Sequence, residues 1–374
     1  MSRISFVSTL DSMPWGGSEL LWVQAAAHLC ELGHDVAASV YWWPEMAAPI
    51  GELERAGCRL QTRRIRDRQK MFAKFLKRPD PDIQLIENWL EQTAPDLVVL
   101  SLECQTPGVE WMKACARRNI PFAFVMHSAI EFLWPPDHVN APYAEAMEKA
   151  RGQFFVSQGN LHWARKQFAR PLPNARVVRN PFGVSYDAAP PWPHQSTLRL
   201  ACVGRLHAPS KGQDILLEVL RQDKWKERDL QVTFFGSGPN EQTLRDLAAM
   251  WKIENVSFGG HTGDVEAIWR DNHALVLPSR VEGLPIVIVE ALLCARPCIV
   301  TDVAGNAELL EDNVTGFVAK APVAELVDEA LERAWQKRGD WQSMGIEAAR
   351  RVRTEIPRDP AAVFADQLLS MISA

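Results

Sequence analysis

Two glutamates eight residues apart, Glu282 and Glu290, follow an apolar run at 273–277. Between them, Pro285 suits the first position of a helix, whose N-terminal backbone amides bind phosphate groups. Glu290 lies five residues beyond Pro285, which is roughly 7–8 Å along a helix axis. That distance matches the reach from a sugar across a diphosphate to a ribose. The pattern predicts a site for a sugar joined to a diphosphate, formed by Glu282, Gly283, Leu284, Pro285, Ile286 and Glu290.

A purely structural role for both glutamates is the alternative. Glu282 would then be a surface acid and Glu290 a charge on a helix face. Glu290, however, is embedded between Ile-Val-Ile-Val and Ala-Leu-Leu, where an unpaired carboxylate is costly. The surroundings of Glu290 therefore favour a binding function.

Two cations lie at an earlier strand-to-helix junction. A strand predicted at 198–203 ends in Gly204 and Arg205, and Lys211 opens the next helix. Arg205 offers a planar fork of donors and Lys211 a mobile point charge, and together they suit a diphosphate leaving group that gains negative charge. If the pair stood alone, two solvated basic side chains would be the preferred interpretation.

A third junction carries Gly236 and Gly238 after a strand predicted at 231–235. This pair is similar to the start of a dinucleotide-binding fingerprint, but residue 241 is Glu where that fingerprint needs glycine. Nicotinamide binding is therefore not expected.

The first half of the chain holds two weaker signals. Gly16 and Gly17 precede a helix, where paired glycines let a ligand approach the backbone, although a tight turn capped by Ser18 explains them equally well. His127 follows a strand predicted at 121–126, but a lone histidine is most often a structural group. Both signals need support from the rest of the chain.

Each of these residues lies just after, or in the helix following, a predicted strand. Along the chain, short β-rich runs alternate with longer helical patterns, which is typical of parallel sheets with crossover helices. Ligands bind at the carboxyl edge of such sheets. Strands are predicted at 3–9, 35–41, 96–101, 121–126 and 153–156, and then at 198–203, 231–235, 255–258, 273–277, 297–301 and 315–319. Helices are predicted at 18–32, 82–93, 107–118 and 160–169, and then at 212–221, 240–251, 264–270, 286–294, 306–311, 322–337, 340–354 and 360–372.

The alternation restarts after a proline-rich stretch at 185–196, which suits a linker. We therefore predict an α/β protein with a first domain at 1–190 and a second at 191–357. A C-terminal helix at 358–374 is expected to pack back on the first domain.

Composition fits a folded protein without bulk positive charge. The chain has 374 residues, 47% of them hydrophobic, and a formal net charge of −5, which argues against nucleic acid as a partner. Its seven cysteines form no Cys-x-x-Cys pair and suggest reduced thiols in a cytoplasmic protein. Neither a signal peptide nor a membrane-spanning run is expected.

Taken together, these motifs resemble the retaining glycosyltransferases of family 4, which have the GT-B fold. The resemblance is densest over 198–320. It rests on Val-Gly-Arg at 203–205 with Lys211 and Gly212, Phe-Gly-Ser-Gly-Pro at 235–239, Val-Ser-Phe-Gly-Gly-His at 256–261, Leu-Pro-Ser at 277–279, Glu282 with Glu290, and 305–309 with Thr315 and Gly316.

The resemblance implies two Rossmann-like, doubly wound parallel-sheet domains facing a cleft, with the acceptor on the first domain and the donor on the second. Glu290 would hold the donor ribose, Glu282 would face the transferred sugar, and Arg205 with Lys211 would bind the diphosphate. The first-domain residues would be the Gly16-Gly17 loop and His127. The implied catalytic residues are His127, Arg205, Lys211 and Glu282, and the implied donor contacts add Gly16, Gly17, Gly204, Gly236, His261, Gly283, Leu284, Pro285, Ile286 and Glu290.

The implied reaction transfers a sugar from a UDP-, GDP- or similar nucleoside-diphosphate sugar to a hydroxyl of a glycan, glycolipid or small metabolite, with retention of configuration. It needs neither a metal nor a further cofactor, because Arg205, Lys211 and the helix N-terminus supply positive potential. A sugar-nucleotide epimerase or phosphorylase-like enzyme of the same architecture is one alternative. A non-catalytic sugar-nucleotide-binding protein is another.

A basic segment at 63–78 stands apart from these motifs. It carries eight Lys or Arg residues and one Asp, a net charge of +7 on a chain whose total is −5. With apolar residues interleaved, it suits peripheral docking on anionic lipid at the inner face of a membrane, or binding of a charged acceptor. A solvated loop is the alternative.

Overall fold

The computed structural model of the chain describes residues 1–64 and 81–373. The chain forms two compact units. Unit 1 comprises Met1–Pro181 together with Asp359–Ala374, and unit 2 comprises Phe182–Arg358. The C-terminal helix thus belongs to unit 1, although it follows unit 2 in sequence.

Unit 1 is built on a parallel sheet whose inner strands are almost entirely buried. The strand Leu97–Leu102 is buried at every position, as expected where helices cover both faces of a parallel sheet. The strands are β1 (Arg3–Ser8), β2 (Asp35–Tyr41), β3 (Arg59–Arg63), β4 (Leu97–Leu102), β5 (Phe122–Met126), β6 (Gly152–Phe155) and β7 (Ala175–Val177).

Within the described residues these strands form a seven-stranded sheet in the order β3-β2-β1-β4-β5-β6-β7. The direction of winding reverses between β1 and β4, which pair in parallel register. The loops after β1 and β4 therefore leave the sheet at a topological switch point, where doubly wound sheets bind ligands.

The helices of unit 1 connect successive strands and cover the sheet. The C-terminal helix packs against the first helix of the chain. It also contacts the sheet, since the rings of Phe154 in β6 and Phe364 meet edge-to-face with centroids 5.2 Å apart. The helices are α1 (Gly17–Glu31), α2 (Ala48–Arg55), α3 (Pro81–Thr93), α4 (Val109–Arg117), α5 (Asp137–Glu148), α6 (Gln158–Phe168) and, after unit 2, α15 (Pro360–Ser373).

Unit 2 repeats the plan with six strands in the order β10-β9-β8-β11-β12-β13. Its switch point lies between β8 and β11, which pair in parallel. The strands are β8 (Leu198–Val203), β9 (Leu230–Phe235), β10 (Val256–Gly260), β11 (Ala274–Leu277), β12 (Cys298–Thr301) and β13 (Gly316–Ala319). The helices are α7 (Ala208–Lys211), α8 (Gln213–Leu220), α9 (Asp223–Lys226), α10 (Glu241–Met250), α11 (Val265–Asp271), α12 (Ile286–Leu293), α13 (Ala324–Gln336) and α14 (Trp341–Glu355).

The predicted α/β class with two doubly wound parallel sheets is confirmed. One predicted helix is wrong: residues 306–311 form turns. Ala304 adopts a left-handed φ of 48° just before them, and the Gly305 amide donates to the Gly283 carbonyl rather than into a helix. The elements that were not predicted are the polar β3, the three-residue β7, the proline-containing α5, α2 and the short helices α7 and α9.

Candidate active site

The candidate site in unit 2 starts from a close contact between the two loops at its switch point. Gly212, after α7, has a φ of +65°, and a Cβ atom there would lie 2.0 Å from the Pro278 carbonyl oxygen after β11. The Ser210 carbonyl also accepts hydrogen bonds from the amides of Arg280 (2.8 Å) and Val281 (3.0 Å). Because only glycine fits at 212, the two loops are fixed against one another.

This contact brings Lys211 to Glu282. Lys211 Nζ lies 2.7 Å from Glu282 Oε1, and the Ser279 hydroxyl donates to the same oxygen at 2.7 Å. Ser279 is held in turn by the Thr301 hydroxyl, which donates to its carbonyl at 2.6 Å. Glu282 is 8% exposed, so its charge is buried but compensated by a cation and a hydroxyl, as a buried carboxylate requires.

The loop then enters α12 at the predicted residue, Ile286, with Pro285 just before the helix rather than as its first residue. Pro285 is the N-cap, with φ −62° and ψ 124°, and the helix begins at Ile286. Leu284 and Pro285 are buried, while Gly283 and Ile286 are partly exposed. The helix N-terminus, with its partial positive charge, therefore directly follows the loop that carries Glu282.

Glu290 lies further along the same helix and is 7% exposed. Its Oε1 accepts a hydrogen bond from the Gly183 amide at 2.8 Å. Burial raises the pKa of Glu290 to about 7, and the Gly183 amide offsets part of that rise. A Cβ atom at 183 would lie 3.0 Å from the carboxylate oxygen, so Gly183 leaves room for Glu290.

The remaining donor residues predicted in unit 2 follow strands β8, β9 and β10. Gly236 has a φ of +125°, and a Cβ atom there would lie 2.1 Å from the Gly204 carbonyl oxygen. The close packing of the residues that follow β8 and β9 therefore requires glycine at position 236. Arg205 is exposed, and its carbonyl accepts from Gln213 Nε2 at 2.9 Å. His261 is exposed just after β10. The predicted residues thus lie at one edge of the sheet, and Lys211 and Glu282 are in direct contact.

In unit 1, His127 directly follows β5 and is 6% exposed. Its Nε2 lies 3.1 Å from the Ser101 hydroxyl oxygen at the end of β4. Its Nδ1 is buried and has no hydrogen-bond partner among the described residues. Burial lowers the pKa of His127 to about 3, so the ring is neutral at physiological pH.

The Gly16-Gly17 loop leads directly into α1. Gly16 is the N-cap with extended backbone, φ −151° and ψ 168°, and the helix begins at Gly17. The alternative in which Ser18 caps the helix is therefore wrong. Neither steric strain nor a left-handed φ explains Gly16, which leaves backbone access to the helix N-terminus as its distinguishing property.

The sequence-based prediction missed Glu19, in the first turn of α1. It is 4% exposed and accepts a hydrogen bond from Trp22 Nε1 at 2.9 Å. Burial raises the pKa of Glu19 to about 7. The signal was a glutamate just after two glycines and before Leu-Leu-Trp, the same kind of cue that identified Glu290. Ser101 and Ser279 carried no such cue.

Most of the basic segment 63–78 lies outside the described residues, but Arg63 departs from the prediction. Its side chain is 7% exposed, donates to the carbonyls of Ser8 and Ser39, and stacks over the Tyr41 ring at 4.3 Å. Arg63 therefore stabilises the end of β3 and is not part of a basic surface. Arg64 is exposed.

Over 1–64 and 81–373, no group of three or more His, Cys, Asp or Glu side chains is arranged to hold a metal ion. Over the same ranges, no helix is both long and apolar enough to cross a membrane.

Unit 2 is similar to known glycosyltransferases. Residues 197–336 match the family model for glycosyl transferases group 1. An uncharacterised glycosyltransferase of Haemophilus influenzae is 34% identical over 124 residues, 33% of this chain and 35% of its own length. The first relatives found by sequence are matched over only 31–35% of their own length.

Solved structures extend the likeness to the whole chain. A glycosyltransferase of Rickettsia africae superposes with a TM-score of 0.77 at 17% identity, covering 100% of this chain and 99% of that one. HepE of Anabaena, in complex with UDP and glucose, gives a TM-score of 0.74 at 17% identity, covering 99% and 100%. At these identities the likeness establishes the fold, which is GT-B.

Proposed function

We propose that the protein is a retaining glycosyltransferase, because residues 197–336 match the family model for glycosyl transferases group 1. It transfers a sugar from a nucleoside-diphosphate sugar to the hydroxyl of an acceptor. The observation that carries the proposal is the contact between Lys211 and Glu282 at the switch point of unit 2, immediately before a helix that also carries the buried Glu290.

Each side chain has a role in this proposal. Arg205, Lys211 and the amides at the start of α12 bind the diphosphate and stabilise the charge that develops on it. Glu290 accepts hydrogen bonds from the ribose hydroxyls, and Glu282 faces the transferred sugar. The last two roles explain why carboxylates stand at two buried positions, where an apolar residue would be less costly.

Unit 1 contributes His127 and the Gly16-Gly17 loop. The neutral His127 ring, whose Nε2 is held by Ser101, lies near the transferred sugar in this proposal. The α1 N-terminus beyond Gly16 offers backbone amides to an anionic group.

The chemical step is a front-side substitution. The acceptor oxygen forms a bond to the anomeric carbon as the bond from that carbon to the phosphate oxygen breaks on the same face. The departing phosphate takes the acceptor proton, so configuration is retained without an enzyme nucleophile. The protein provides positioning and fixed positive charge, and the proposal therefore includes activity without a metal ion.

The first experiment identifies the donor. Thermal unfolding is followed with a panel of nucleoside diphosphates and their sugars, since a ligand that binds only the native state raises Tm. HepE is described with UDP, which makes UDP the first probe. A Tm rise with one nucleoside diphosphate supports the proposal, and no rise with any of them contradicts it.

Two variants then divide the roles of the glutamates. Glu290→Ala should abolish most of the Tm rise, whereas Glu282→Ala should keep it but lose turnover. Glu325→Ala, at an exposed position of α13, is the matched control and should change neither. An unchanged donor affinity in Glu290→Ala would refute the ribose assignment.

Product analysis separates this proposal from its rivals. Transfer gives a new glycoside, an epimerase gives an altered sugar nucleotide, and a phosphorylase-like enzyme needs phosphate. A non-catalytic binding protein gives a Tm rise but neither transfer nor slow donor hydrolysis.

The proposed location is the cytoplasm, which suits the seven cysteines, all unpaired in the structure. Peripheral contact with anionic lipid through 63–78 is part of the proposal, now without Arg63. Vesicle co-sedimentation tests it: binding should need anionic lipid, weaken with salt, and fall when Arg66, Arg68, Lys70 and Lys74 become Ser. If the protein does not bind anionic vesicles at low salt, the proposed membrane contact is refuted, and a soluble acceptor is the better interpretation.

A further inference from the structure

Three consecutive apolar side chains are exposed in the turn that follows His127. Phe132 is 72%, Leu133 42% and Trp134 52% exposed. Single exposed apolar residues are ordinary on protein surfaces, but a contiguous group marks a binding surface. We call residues 131–134 the aromatic turn.

The backbone of the aromatic turn is fixed from beneath by two buried glutamines. Gln105 Nε2 donates to the carbonyls of Ile130 (3.0 Å) and Leu133 (2.8 Å), and Gln167 Nε2 donates to the Ile130 carbonyl at 2.7 Å. Gln105 is fully buried and Gln167 is 1% exposed. These bonds order the backbone and leave the three apolar side chains exposed. A ligand that binds there does not have to order this backbone, so less conformational entropy is lost on binding.

The same scaffold reaches His127. Asn160 Nδ2 donates to the His127 carbonyl at 3.1 Å, and Asn160 Oδ1 accepts from the Ala129 amide at 3.2 Å. Because Asn160 and Gln167 both lie on α6, one helix holds the backbone beneath the aromatic turn and the backbone of His127.

The charges of the turn indicate what it binds. Residues 128–137 contain no Lys or Arg, while Glu131 and Asp137 are exposed. Such a surface repels phosphate groups and anionic lipid headgroups. Flat rings flanked by carboxylates fit a saccharide instead, because the rings cover its apolar face and the carboxylates accept its hydroxyl protons.

We propose that the aromatic turn binds the acceptor, and that the acceptor is a saccharide without a phosphate group at this position. This inference rests on the proposed function and narrows its acceptor from any hydroxyl compound to a glycan. Phe132 and Trp134 provide the stacking surface, and Glu131 with Asp137 binds hydroxyl groups at its rim.

The test measures saccharide binding by the full chain on an array of neutral and acidic oligosaccharides. Wild type should retain a subset of neutral oligosaccharides, and Trp134→Ala should lose roughly tenfold in affinity for them, as expected for one stacking contact. Phe132→Ser with Trp134→Ser should abolish retention. Met250→Ser with Ile346→Ser, at exposed apolar positions of unit 2 (66% and 60%), is the matched control and should bind as wild type does.

Other outcomes contradict the inference. They are retention of no oligosaccharide by wild type, binding unchanged in the double variant, binding of vesicles that depends on Phe132 and Trp134, and self-association that disappears in the double variant. The Tm rise with nucleoside diphosphate is measured on the same samples. If that rise persists while saccharide binding is unaffected, the aromatic turn is wrongly assigned and the proposed function stands; if no protein shows the rise, the proposed function fails.

Discussion

Lys211 and Glu282 lie 71 residues apart in sequence, yet Lys211 Nζ approaches Glu282 Oε1 to 2.7 Å. The contact follows from Gly212, whose missing side chain lets its loop pack against the Pro278 carbonyl. Without donor, the charge of Lys211 is partly neutralised by Glu282. In the proposed function, the diphosphate therefore competes with Glu282 for the same ammonium group.

This competition predicts opposite effects of Glu282→Gln on binding and turnover. Removing the carboxylate charge should leave Lys211 more attractive to anions and tighten binding of the nucleoside diphosphate, by roughly three- to tenfold at low salt. Turnover should fall about 100-fold or more, because Glu282 is proposed to act on the sugar. Calorimetric titration and initial rates measure the two effects. Weaker nucleotide binding in Glu282→Gln would contradict the competition.

A double-variant cycle separates charge compensation from catalysis. Lys211→Met leaves Glu282 buried without its cation, so Tm should fall by an amount equivalent to about 1–3 kcal/mol. Adding Glu282→Gln removes the unpaired charge and should restore most of the Tm. Turnover should stay orders of magnitude low in both proteins, since the diphosphate still lacks Lys211. Near-normal kinetics in Lys211→Met, or in Lys211→Met with Arg205→Ala, would exclude the leaving-group role.

Glu290 makes stability depend on pH. Burial raises the folded-state pKa from 4.5 to about 7, so the folded protein binds the proton more tightly than the unfolded chain does. The resulting stability is fully present below about pH 4.5 and is lost as pH rises through 7, up to about 3 kcal/mol in all. Because the Gln side chain does not ionise, Glu290→Gln should not lose stability in this way as pH rises. Its amide oxygen can still accept a hydrogen bond from the Gly183 amide.

The Tm of Glu290→Gln minus that of wild type should therefore become more positive from pH 5 to pH 8.5 in the absence of ligand. Glu19 has a similarly raised pKa, but it is present in both proteins, so its contribution cancels. A Tm difference that stays constant over this range would show that the Glu290 carboxyl is not perturbed in the folded protein.

His127 should remain neutral throughout the physiological range. Its folded-state pKa is lowered to about 3 by burial, so its stability contribution is complete above about pH 6.5 and is lost only as pH falls toward 3. Ring ¹⁵N shifts of His127 should not change between pH 8 and pH 5. Titration near pH 6.5 would mean that the ring is solvated or paired with an acid, and its proposed role would then need revision.

The fold was largely predictable, because buried parallel strands such as β4 are almost entirely apolar and stand out between helical patterns. Strand β3 was missed because its sequence, Arg-Leu-Gln-Thr-Arg, is polar. Arg63, at the end of β3, shows that charge counts do not predict burial. It was counted as part of a basic surface, but it is buried against Ser8, Ser39 and Tyr41.

Individual residues of the candidate site could be selected from the sequence, but their contacts could not. Glu290 was conspicuous because a charge interrupts an apolar run. Its bond to Gly183 joins residues 107 apart, and the pairing of Lys211 with Glu282 depends on a steric detail at Gly212. Long-range contacts of this kind are set by packing, which local patterns do not encode.

The proposed reaction transfers a sugar from a nucleoside-diphosphate sugar and retains its anomeric configuration. The most direct test follows the reaction by ¹H NMR with the donor identified by thermal shift, an oligosaccharide retained on the array and excess EDTA. We expect a new glycoside whose anomeric coupling shows the same configuration as the donor, formed at the rate seen without EDTA. A product of inverted configuration, or transfer that EDTA stops and magnesium or manganese restores, would contradict it.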